Sequence, residues 1–250
     1  MLPLQPAKRL TILVPYRDRQ EHLVTFVPHM RGHFATQPEP PRIVVVEQAP
    51  GKPFNRGALK NVGFLLACDS SDYVCFHDID YLPLSVDYGF TDVPCCLAWY
   101  GAESRPIDPA RPGKRITHNL ERFFGAALLM PNAAFLAANG YSNRYWTWGY
   151  EDTDLRRRLR LKGVSIGRRK GAFRPLDHRN EGFNYDRSAT AAHQKSRAIF
   201  ESDWGDNRAP NVDEDGLSTC RFQIVQSHNI DGPPGALPIE RITVELLMDP

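Results

Sequence analysis

The chain has 250 residues, with 31 Lys and Arg against 29 Asp and Glu, which gives a formal net charge of +2. This length suits one large α/β domain or two small ones, with a substantial buried core. The near balance of charge points to no particular partner. The basic residues also lack the interleaved aromatic residues of a nucleic-acid-binding surface, so a nucleic-acid partner is not expected.

The cysteines indicate a reducing compartment. There are five, an odd number, and no pair has the spacing of a zinc site. Cys68 and Cys75 lie in apolar stretches, which is typical of small buried thiols. No apolar run has the length of a transmembrane segment, and the N-terminus lacks the basic-then-apolar pattern of a signal peptide. If the chain is complete, we therefore expect a soluble, cytoplasmic protein.

Strands and helices alternate along the first part of the chain. Short β-rich runs predict strands at residues 9–14, 42–47 and 73–77. A helix is predicted at 19–30, and the i, i+3, i+7 spacing of apolar residues predicts another at 55–68. This order predicts an α/β fold with right-handed crossovers and a mostly parallel sheet.

The second part of the chain is less regular. Residues 91–118 are rich in proline and glycine and predict loops. Helices are predicted at 131–139 and 151–162. After Arg174 the chain is polar and irregular, until alternating segments at 220–226 and 239–247 predict strands that form a small antiparallel addition to the sheet.

Polar clusters follow two of the predicted strands. Arg17 and Arg19 come after the first strand, and Asp78 and Asp80 come after the third. Because ligands of such sheets bind at the carboxyl ends of the strands, both clusters are expected on one rim. The planar arginine group suits pyrophosphate, although surface salt bridges are the alternative. No glycine-rich phosphate loop is present, which argues against a kinase, a P-loop enzyme or a dinucleotide dehydrogenase.

The two aspartates predict a metal site. In an extended chain, Asp78 and Asp80 would point to the same side. Two hard oxygen donors suit Mg²⁺ or Mn²⁺, especially with phosphate oxygens from a ligand. The alternative is a turn at Asp80. His178 is a candidate third ligand, because imidazole is acceptable to Mn²⁺, although a lone loop histidine is more often only a surface residue.

Residues 145–154 place aromatic side chains and a glycine directly before Glu151, Asp152 and Asp154. Aromatic rings are costly to expose, and clustered carboxylates need a cation, a proton or a hydroxyl partner. The segment therefore predicts a ligand wall with an acid or base beside it. The alternative is a buried aromatic turn before an acidic first helical turn. The neighbouring rim of arginines and aspartates favours the ligand wall.

Together these segments resemble the β-1,4-galactosyltransferase family (glycosyltransferase family 7), inverting enzymes of the GT-A fold. The resemblance runs from about Leu10 to Leu247, and its motifs follow the family's order. Residues 87–90 and 142–146 are most similar to the branch that adds galactose to xylose. The segments that carry the resemblance are residues 14–23, 54–57, 61–64, 77–83, 124–126 and 145–154.

The resemblance implies one GT-A domain over residues 1–250, with a Rossmann-like, mostly parallel sheet flanked by helices. Its nucleotide-binding half would cover about residues 8–90, and its acceptor and catalytic half about 115–250. The implied reaction moves galactose from UDP-galactose to a sugar hydroxyl with inversion, giving a β-1,4 linkage. Mn²⁺ is the implied cofactor, with Mg²⁺ as the alternative.

The resemblance also implies roles for the acids and the metal ligands. Asp152 would be the general base, and three neighbours would bind the acceptor: Tyr150, Glu151 and Asp154. Asp80 and His178 would hold the metal ion, with Asp78 and Asp177 as alternatives.

Donor-binding positions are implied along the whole chain, and among them Trp148 matches the tryptophan of a loop that closes over the donor. The bulk of Phe123 favours galactose over N-acetylgalactosamine. The implied donor-binding residues are Pro15, Tyr16, Arg17, Arg19, Phe54, Arg56, Asp78, Phe123, Trp148 and Gly149.

Three positions depart from the family. Thr147 replaces a glycine, Tyr150 stands where the family has glycine or arginine, and Thr153 replaces an acid. Two alternatives stay open: the same chemistry with UDP-N-acetylgalactosamine or UDP-glucose, and a catalytically weak sugar-nucleotide- or glycan-binding module with an altered acceptor side. The missing anchor and disulfide pattern suggest a microbial relative that builds a surface polysaccharide, in the cytoplasm or peripheral to the membrane. A Golgi location would apply only to a fragment.

Overall fold

A computed structural model describes residues 8–99, 124–147, 149–176, 191–206 and 208–250. The helices of this part of the chain are α1 (Gln20–Phe34), α2 (Arg56–Ala67), α3 (Asn132–Ala137), α4 (Glu151–Leu161) and α5 (Ala191–Trp204). Its strands are β1 (Leu10–Tyr16), β2 (Arg42–Gln48), β3 (Tyr73–His77), β4 (Tyr81–Ser85), β5 (Cys95–Trp99), β6 (Ala127–Pro131), β7 (Gly167–Lys170), β8 (Ala172–Pro175), β9 (Phe222–Asn229) and β10 (Ile239–Leu246).

Eight of these strands form one sheet in the order β7-β5-β6-β3-β1-β2-β10-β9. Its centre, from β3 through β1 and β2 to β10, is parallel. β6 joins β3 and β5 in antiparallel pairs, and β7 runs parallel to β5. β4 and β8 form a separate two-stranded antiparallel sheet. The α/β class with a mostly parallel central sheet is therefore confirmed.

The central strands are apolar on both faces because helices cover both faces. On one side, Leu13 and Val44 pack with α2, α3 and α4 in one cluster of buried residues. On the other side, Ile12 and Val14 pack with α1 in a second cluster. Successive residues of β1 thus face opposite layers, as the alternation of side chains along a strand requires.

α2 lies close against the sheet because Gly63 faces it. A Cβ at Gly63 would lie 3.1 Å from Val46 Cγ2 and 3.2 Å from Leu13 Cδ2. The helix begins at a side-chain cap, where Asn55 Oδ1 accepts a hydrogen bond from the Ala58 N–H at 2.8 Å. This cap fixes where the first residue of α2 meets the rim of the sheet.

The first three predicted strands and the first two helices are confirmed, and α1 extends four residues beyond its predicted end. The helix after residue 131, the helix at 151 and the C-terminal antiparallel pair are confirmed as well.

The prediction of loops throughout 91–118 is wrong, because β5 lies within that range. α5 lies in a stretch predicted to be irregular; it buries only Ser196 and Trp204, so its sequence carries no apolar stripe. β7 is a four-residue polar strand without apolar alternation. None of the helices in the described part of the chain has the length and apolar composition needed to cross a bilayer.

Candidate active site

Two polar segments meet at the carboxyl edge of the sheet. β1 and β3 are neighbouring parallel strands, so residues 17–19 and 78–80 leave the sheet side by side. This confirms the prediction that both clusters share a rim. The rim is also where ligands of parallel α/β sheets bind.

The segment after β3 is a turn, so the expectation that Asp78 and Asp80 share one side of an extended chain is wrong. The Tyr81 N–H donates a hydrogen bond to the Asp78 carbonyl at 3.3 Å. The Asp78 carboxylate accepts a hydrogen bond from Arg56 of α2, while the backbone carbonyl of Asp80 accepts one from the Leu176 N–H at 2.7 Å.

Arg56, the first residue of α2, joins three carboxylates. Its Nη1 donates to Asp78 at 2.8 Å, and its Nη2 donates to Asp152 at 2.8 Å. Its Nε donates to Glu151 at 2.7 Å, and Nη2 contacts the same Glu151 oxygen. One guanidinium therefore connects the end of β3 to the start of α4.

Lys60 lies one turn after Arg56 on the same face of α2, as the i, i+4 spacing requires. Its Nζ is 3.1 Å from Asp152 Oδ1 and 3.2 Å from the Tyr141 hydroxyl. The Tyr141 hydroxyl in turn donates to Asp152 Oδ1 at 3.4 Å. Asp152 thus has a cation on each carboxylate oxygen.

Sequence reasoning missed Lys60 and Tyr141. The available signal was a lysine inside the buried stretch of an amphipathic helix, where only a paired charge is tolerated. Its partner could not be read from the chain, since Asp152 is more than ninety positions away in sequence.

Asparagines of α2 hold the loop that leads to the acids. The Asn61 side chain accepts from the Tyr141 N–H at 2.9 Å and donates to the Tyr141 carbonyl at 2.8 Å. The Asn55 amide donates to the Asn143 carbonyl at 2.7 Å. These buried bonds fix the loop against α2, so the residues that follow it approach the rim in one geometry.

The backbone before α4 is in the left-handed region at three positions. The φ angles are +84° at Thr147, +104° at Gly149 and +69° at Tyr150. Glycine adopts this conformation freely, whereas other residues in sparsely populated backbone regions cost about 1–3 kcal/mol each. Thr147 and Tyr150, two of the departures from the family motif, therefore occupy strained positions.

The environment of Asp152 keeps it ionised. Burial alone would raise the pKa of this carboxyl, but Lys60 and Arg56, with hydrogen bonds from Lys60 and Tyr141, hold its pKa below the usual range. The net shift is the opposite at Asp78. Burial raises the pKa of this carboxyl, and Arg56 and Lys60 offset only part of the rise. The two carboxylates on either side of Arg56 are thus driven apart in proton affinity.

Asp154 does not join the Arg56 cluster, where Asp152 is partly exposed and Glu151 is buried. Asp154 is fully buried and accepts hydrogen bonds from Trp204 Nε1 at 2.7 Å, Arg158 Nε at 2.5 Å and the Tyr145 hydroxyl at 3.2 Å. These bonds tie α5 and the aromatic segment to α4. They indicate a structural role for Asp154.

Among the donor-binding candidates, Pro15 and Tyr16 are buried at the end of β1. Arg17 is half-buried; its guanidinium lies over the Phe54 ring at 5.3 Å and donates to the Lys52 carbonyl at 2.6 Å. Arg17 and Phe54 thereby form a preassembled pair that links the end of β1 to the segment before α2.

Arg19 is half-buried at the start of α1, and its carbonyl accepts from the Leu23 N–H at 2.9 Å. Gly149 faces α5, because a Cβ there would lie 3.2 Å from His193 Cδ2. The Tyr150 ring packs against α5 as well, 5.2 Å from His193. Phe123, Trp148, Asp177 and His178 lie outside the described residues.

No group of three or more His, Cys, Asp or Glu side chains able to hold a metal ion occurs among the described residues. His77 is fully buried, with its Nε2 3.0 Å from the Tyr88 hydroxyl. Burial lowers its pKa to about 4, in agreement with a neutral, structural histidine.

Two family models match the chain. The model of the N-terminal region of glycosyl transferase group 7 matches residues 3–90, and that of the N-terminal domain of galactosyltransferase matches residues 109–180. Together they match more than half of the chain. The chain belongs to the glycosyltransferase group 7 family. The resemblance found from the sequence motifs is therefore confirmed.

Members of the group 7 family are similar to the chain in sequence and in structure. Human β-1,4-galactosyltransferase 7 is 38% identical over 165 residues, 65% of this chain and 47% of the relative. The Drosophila melanogaster protein is 30% identical over 226 residues, 89% of this chain and 65% of the relative. The chain thus spans about half the length of the human relative.

The structural match covers nearly the whole chain. A mutant of the Drosophila β-1,4-galactosyltransferase 7, solved in complex with manganese, UDP-Gal and xylobiose, has a TM-score of 0.75 at 27% sequence identity. The alignment covers 97% of this chain and 95% of that chain. The GT-A fold expected for a group 7 member is confirmed.

We expect the buried ion pair Asp154–Arg158 to stabilise the fold around the candidate site. Arg158→Met leaves the Asp154 carboxylate buried without its cation, so we expect a loss of about 3–5 kcal/mol in the free energy of unfolding. Urea denaturation measures this loss. Arg197→Met is the matched control, because Arg197 and Glu201 form an i, i+4 pair that is exposed. The control should change little, and equal losses in both variants would contradict the assignment.

Proposed function

We propose that this chain transfers galactose from UDP-galactose to a sugar hydroxyl, with inversion at the anomeric carbon and formation of a β-1,4 linkage. The observation that carries the proposal is the ionised Asp152 carboxylate at the rim, joined through Arg56 to the turn after β3. A structure similar to this chain was solved with manganese, UDP-Gal and xylobiose, which supports the same donor and a sugar acceptor here.

Asp152 is the proposed general base. The acceptor hydroxyl oxygen attacks the anomeric carbon while its proton passes to the Asp152 carboxylate. The bond from the anomeric carbon to the β-phosphate oxygen breaks, and UDP leaves with the bonding electrons. A single displacement of this kind inverts the anomeric configuration. A side chain that is 19% exposed between two cations is ionised and still open to a ligand.

Arg17 and Arg19 are the proposed donor-side cations. Charge grows on the departing UDP as the glycosidic bond breaks, and preorganised cations stabilise it. Arg17 is preorganised by the Phe54 ring and the Lys52 carbonyl. Pro15 and Tyr16 shape the floor of this side, and Gly149, Trp148 and Phe123 complete the proposed donor set.

Arg56 belongs to the proposed donor set and also positions the acids. All three of its nitrogens already donate to carboxylates, so it organises Asp78, Glu151 and Asp152 before any ligand binds. On the acceptor side, Glu151 and Tyr150 are the proposed contacts, while the burial of Asp154 supports a structural role.

Asp80 and His178 are the proposed ligands of Mn²⁺, with Mg²⁺ as the alternative ion. Carboxylate oxygen and imidazole fit this ion. When bound, the ion would neutralise negative charge on the UDP phosphates.

The turn that carries Asp80 and the strand that leads to His178 are joined. β4 pairs with β8, and the Leu176 N–H donates to the Asp80 carbonyl. Asp177 and His178 follow Leu176 directly in the sequence, which supports Asp80 as the first ligand. Asp78 is bonded to Arg56 and is the weaker candidate.

Within this proposal, residues 8–90 form the nucleotide-binding half, since they carry both arginines and Asp80. Residues 115–250 form the acceptor and catalytic half, since they carry Asp152. A microbial surface polysaccharide as the product is the accompanying prediction. Transfer to xylosides compared with microbial glycan acceptors tests it.

Asp152→Asn should reduce galactose transfer by at least about a hundredfold, because the amide cannot accept the proton. The measurement is UDP release with UDP-galactose over a panel of acceptors that includes xylosides. UDP binding measured by calorimetry should persist, which separates loss of the base from loss of the fold. Asp213→Asn makes the same chemical change at an exposed position and should keep full activity.

Full transfer activity in Asp152→Asn would refute the assignment of Asp152 as the general base. Faster turnover of UDP-N-acetylgalactosamine or UDP-glucose would keep the chemistry and change the donor. Tight binding of UDP and Mn²⁺ with no turnover across the panel would identify a sugar-nucleotide-binding module instead.

Asp80→Asn should weaken Mn²⁺ binding in the presence of UDP by at least about tenfold, since one charged ligand is lost. Calorimetric titration with the metal measures the change. A chelator should abolish transfer by the unmodified chain, and added Mn²⁺ should restore it. Asp249→Asn, at a fully exposed carboxylate, is the control. Unchanged Mn²⁺ affinity in Asp80→Asn would exclude this aspartate as a ligand.

A further inference from the structure

Lys60 is a buried cation inside the apolar part of α2. Its side chain is 2% exposed, and its neighbours Leu59 and Val62 are fully buried core residues. Its Nζ lies 4.7 Å from the centre of the Tyr141 ring, and its hydrogen bonds go to the Tyr141 hydroxyl and to Asp152. Through Asp152, Lys60 joins the cluster of three carboxylates that the guanidinium of α2 connects.

The carboxylates of the cluster outnumber the charge that Arg56 supplies. Asp78, Glu151 and Asp152 all bond to this single guanidinium. Like charges so close together disfavour ionisation, so one of the three would tend to hold a proton. Lys60 is the second cation at the cluster, and its ion pair is with Asp152.

We propose that Lys60 is a positioning residue for Asp152, which it holds ionised and in one orientation together with the Tyr141 hydroxyl. Lys60 Nζ and Tyr141 Oη both bond Oδ1, while Arg56 bonds Oδ2. Both oxygens are thus fixed, and the plane of the carboxylate is set before an acceptor arrives. The consequence for turnover rests on the proposed function, while the pairing itself does not.

A merely structural lysine would behave differently. A lysine that only filled space would leave no buried partner unpaired when it was replaced, so an apolar side chain of similar length would be tolerated at this core position. A lysine that only fills space could therefore be replaced by methionine without an effect on the ionisation of Asp152.

The expected pH effect follows from the groups that face Asp152. Burial raises the pKa of Asp152, while Lys60 and Arg56 on α2 and the Tyr141 hydroxyl lower it. The remaining facing groups are the carboxyls of Asp78 after β3 and the neighbouring Glu151, and the Cys96 thiol on β5, which is neutral because burial raises its pKa to about 11. Without Lys60, fewer groups lower the pKa of Asp152, so this carboxyl would need a higher pH to ionise.

The first test is the pH profile of Lys60→Met. At neutral pH its kcat/KM should fall roughly ten- to a hundredfold, because the base is less ionised and less well oriented. The acid limb of the profile should move to higher pH, and UDP affinity should stay within about twofold. Lys162→Met, which removes an exposed lysine at the end of α4, should leave the profile unchanged. An unchanged acid limb in a folded Lys60→Met protein would overturn the proposal.

Tyr141→Phe is the milder variant. It keeps the ring beside Lys60 and removes only the hydroxyl that donates to Asp152. The acid limb should move in the same direction by a smaller amount. A shift to lower pH would contradict the assignment.

A double-mutant cycle tests the pairing without any turnover. The melting temperatures of Lys60→Met, Asp152→Asn and the double variant are compared at neutral pH. The melting temperature of the double variant should fall by less than the sum of the two single decreases, because each single change leaves a buried group without its partner. Strict additivity would overturn the pairing. Non-additive losses in a chain without transfer activity would preserve the pairing and refute the proposed function alone.

Discussion

The site depends on one guanidinium placed among three carboxylates. Arg56 bonds Asp78 from the sheet side and Glu151 with Asp152 from the helix side. Without a central cation these acids would repel one another, and the start of α4 would be driven away from the turn after β3. The turn after β3 and the start of α4 are therefore held together by one guanidinium at the rim of the sheet.

α2 delivers it. Gly63 lets the helix lie close to β1 and β2, the Asn55 cap sets its first residue, and Asn61 fastens the loop before the acids. The same helix then presents Arg56 and Lys60 on one face. Because the core packing, the cap and the two cations lie on one rigid element, the acids meet cations whose positions are already fixed.

The sequence was informative where chemistry and periodicity are local. The alternation of strands and helices up to β3 predicts the parallel sheet, and this sheet predicts that Arg17 and Asp78 share a rim. The resemblance to the family then implies Asp152 as the general base, which stays a prediction. Contacts that depend on distant segments could not be predicted, such as Lys60 with Asp152. α5 also escaped prediction, since it packs through a few residues such as Trp204 and leaves most of its surface polar. The sequence could not decide between a turn and an extended chain at Asp78, because an isolated Asp-x-Asp fits both equally well.

The proposed reaction at this rim is a single displacement with Asp152 as the base. The most direct test is the anomeric configuration of the galactoside formed from UDP-galactose and a xyloside acceptor, followed by proton NMR as the product appears. A single displacement predicts the β-anomer as the first product. Formation of the α-anomer would contradict this mechanism, because retention requires a route other than attack by a base-activated acceptor.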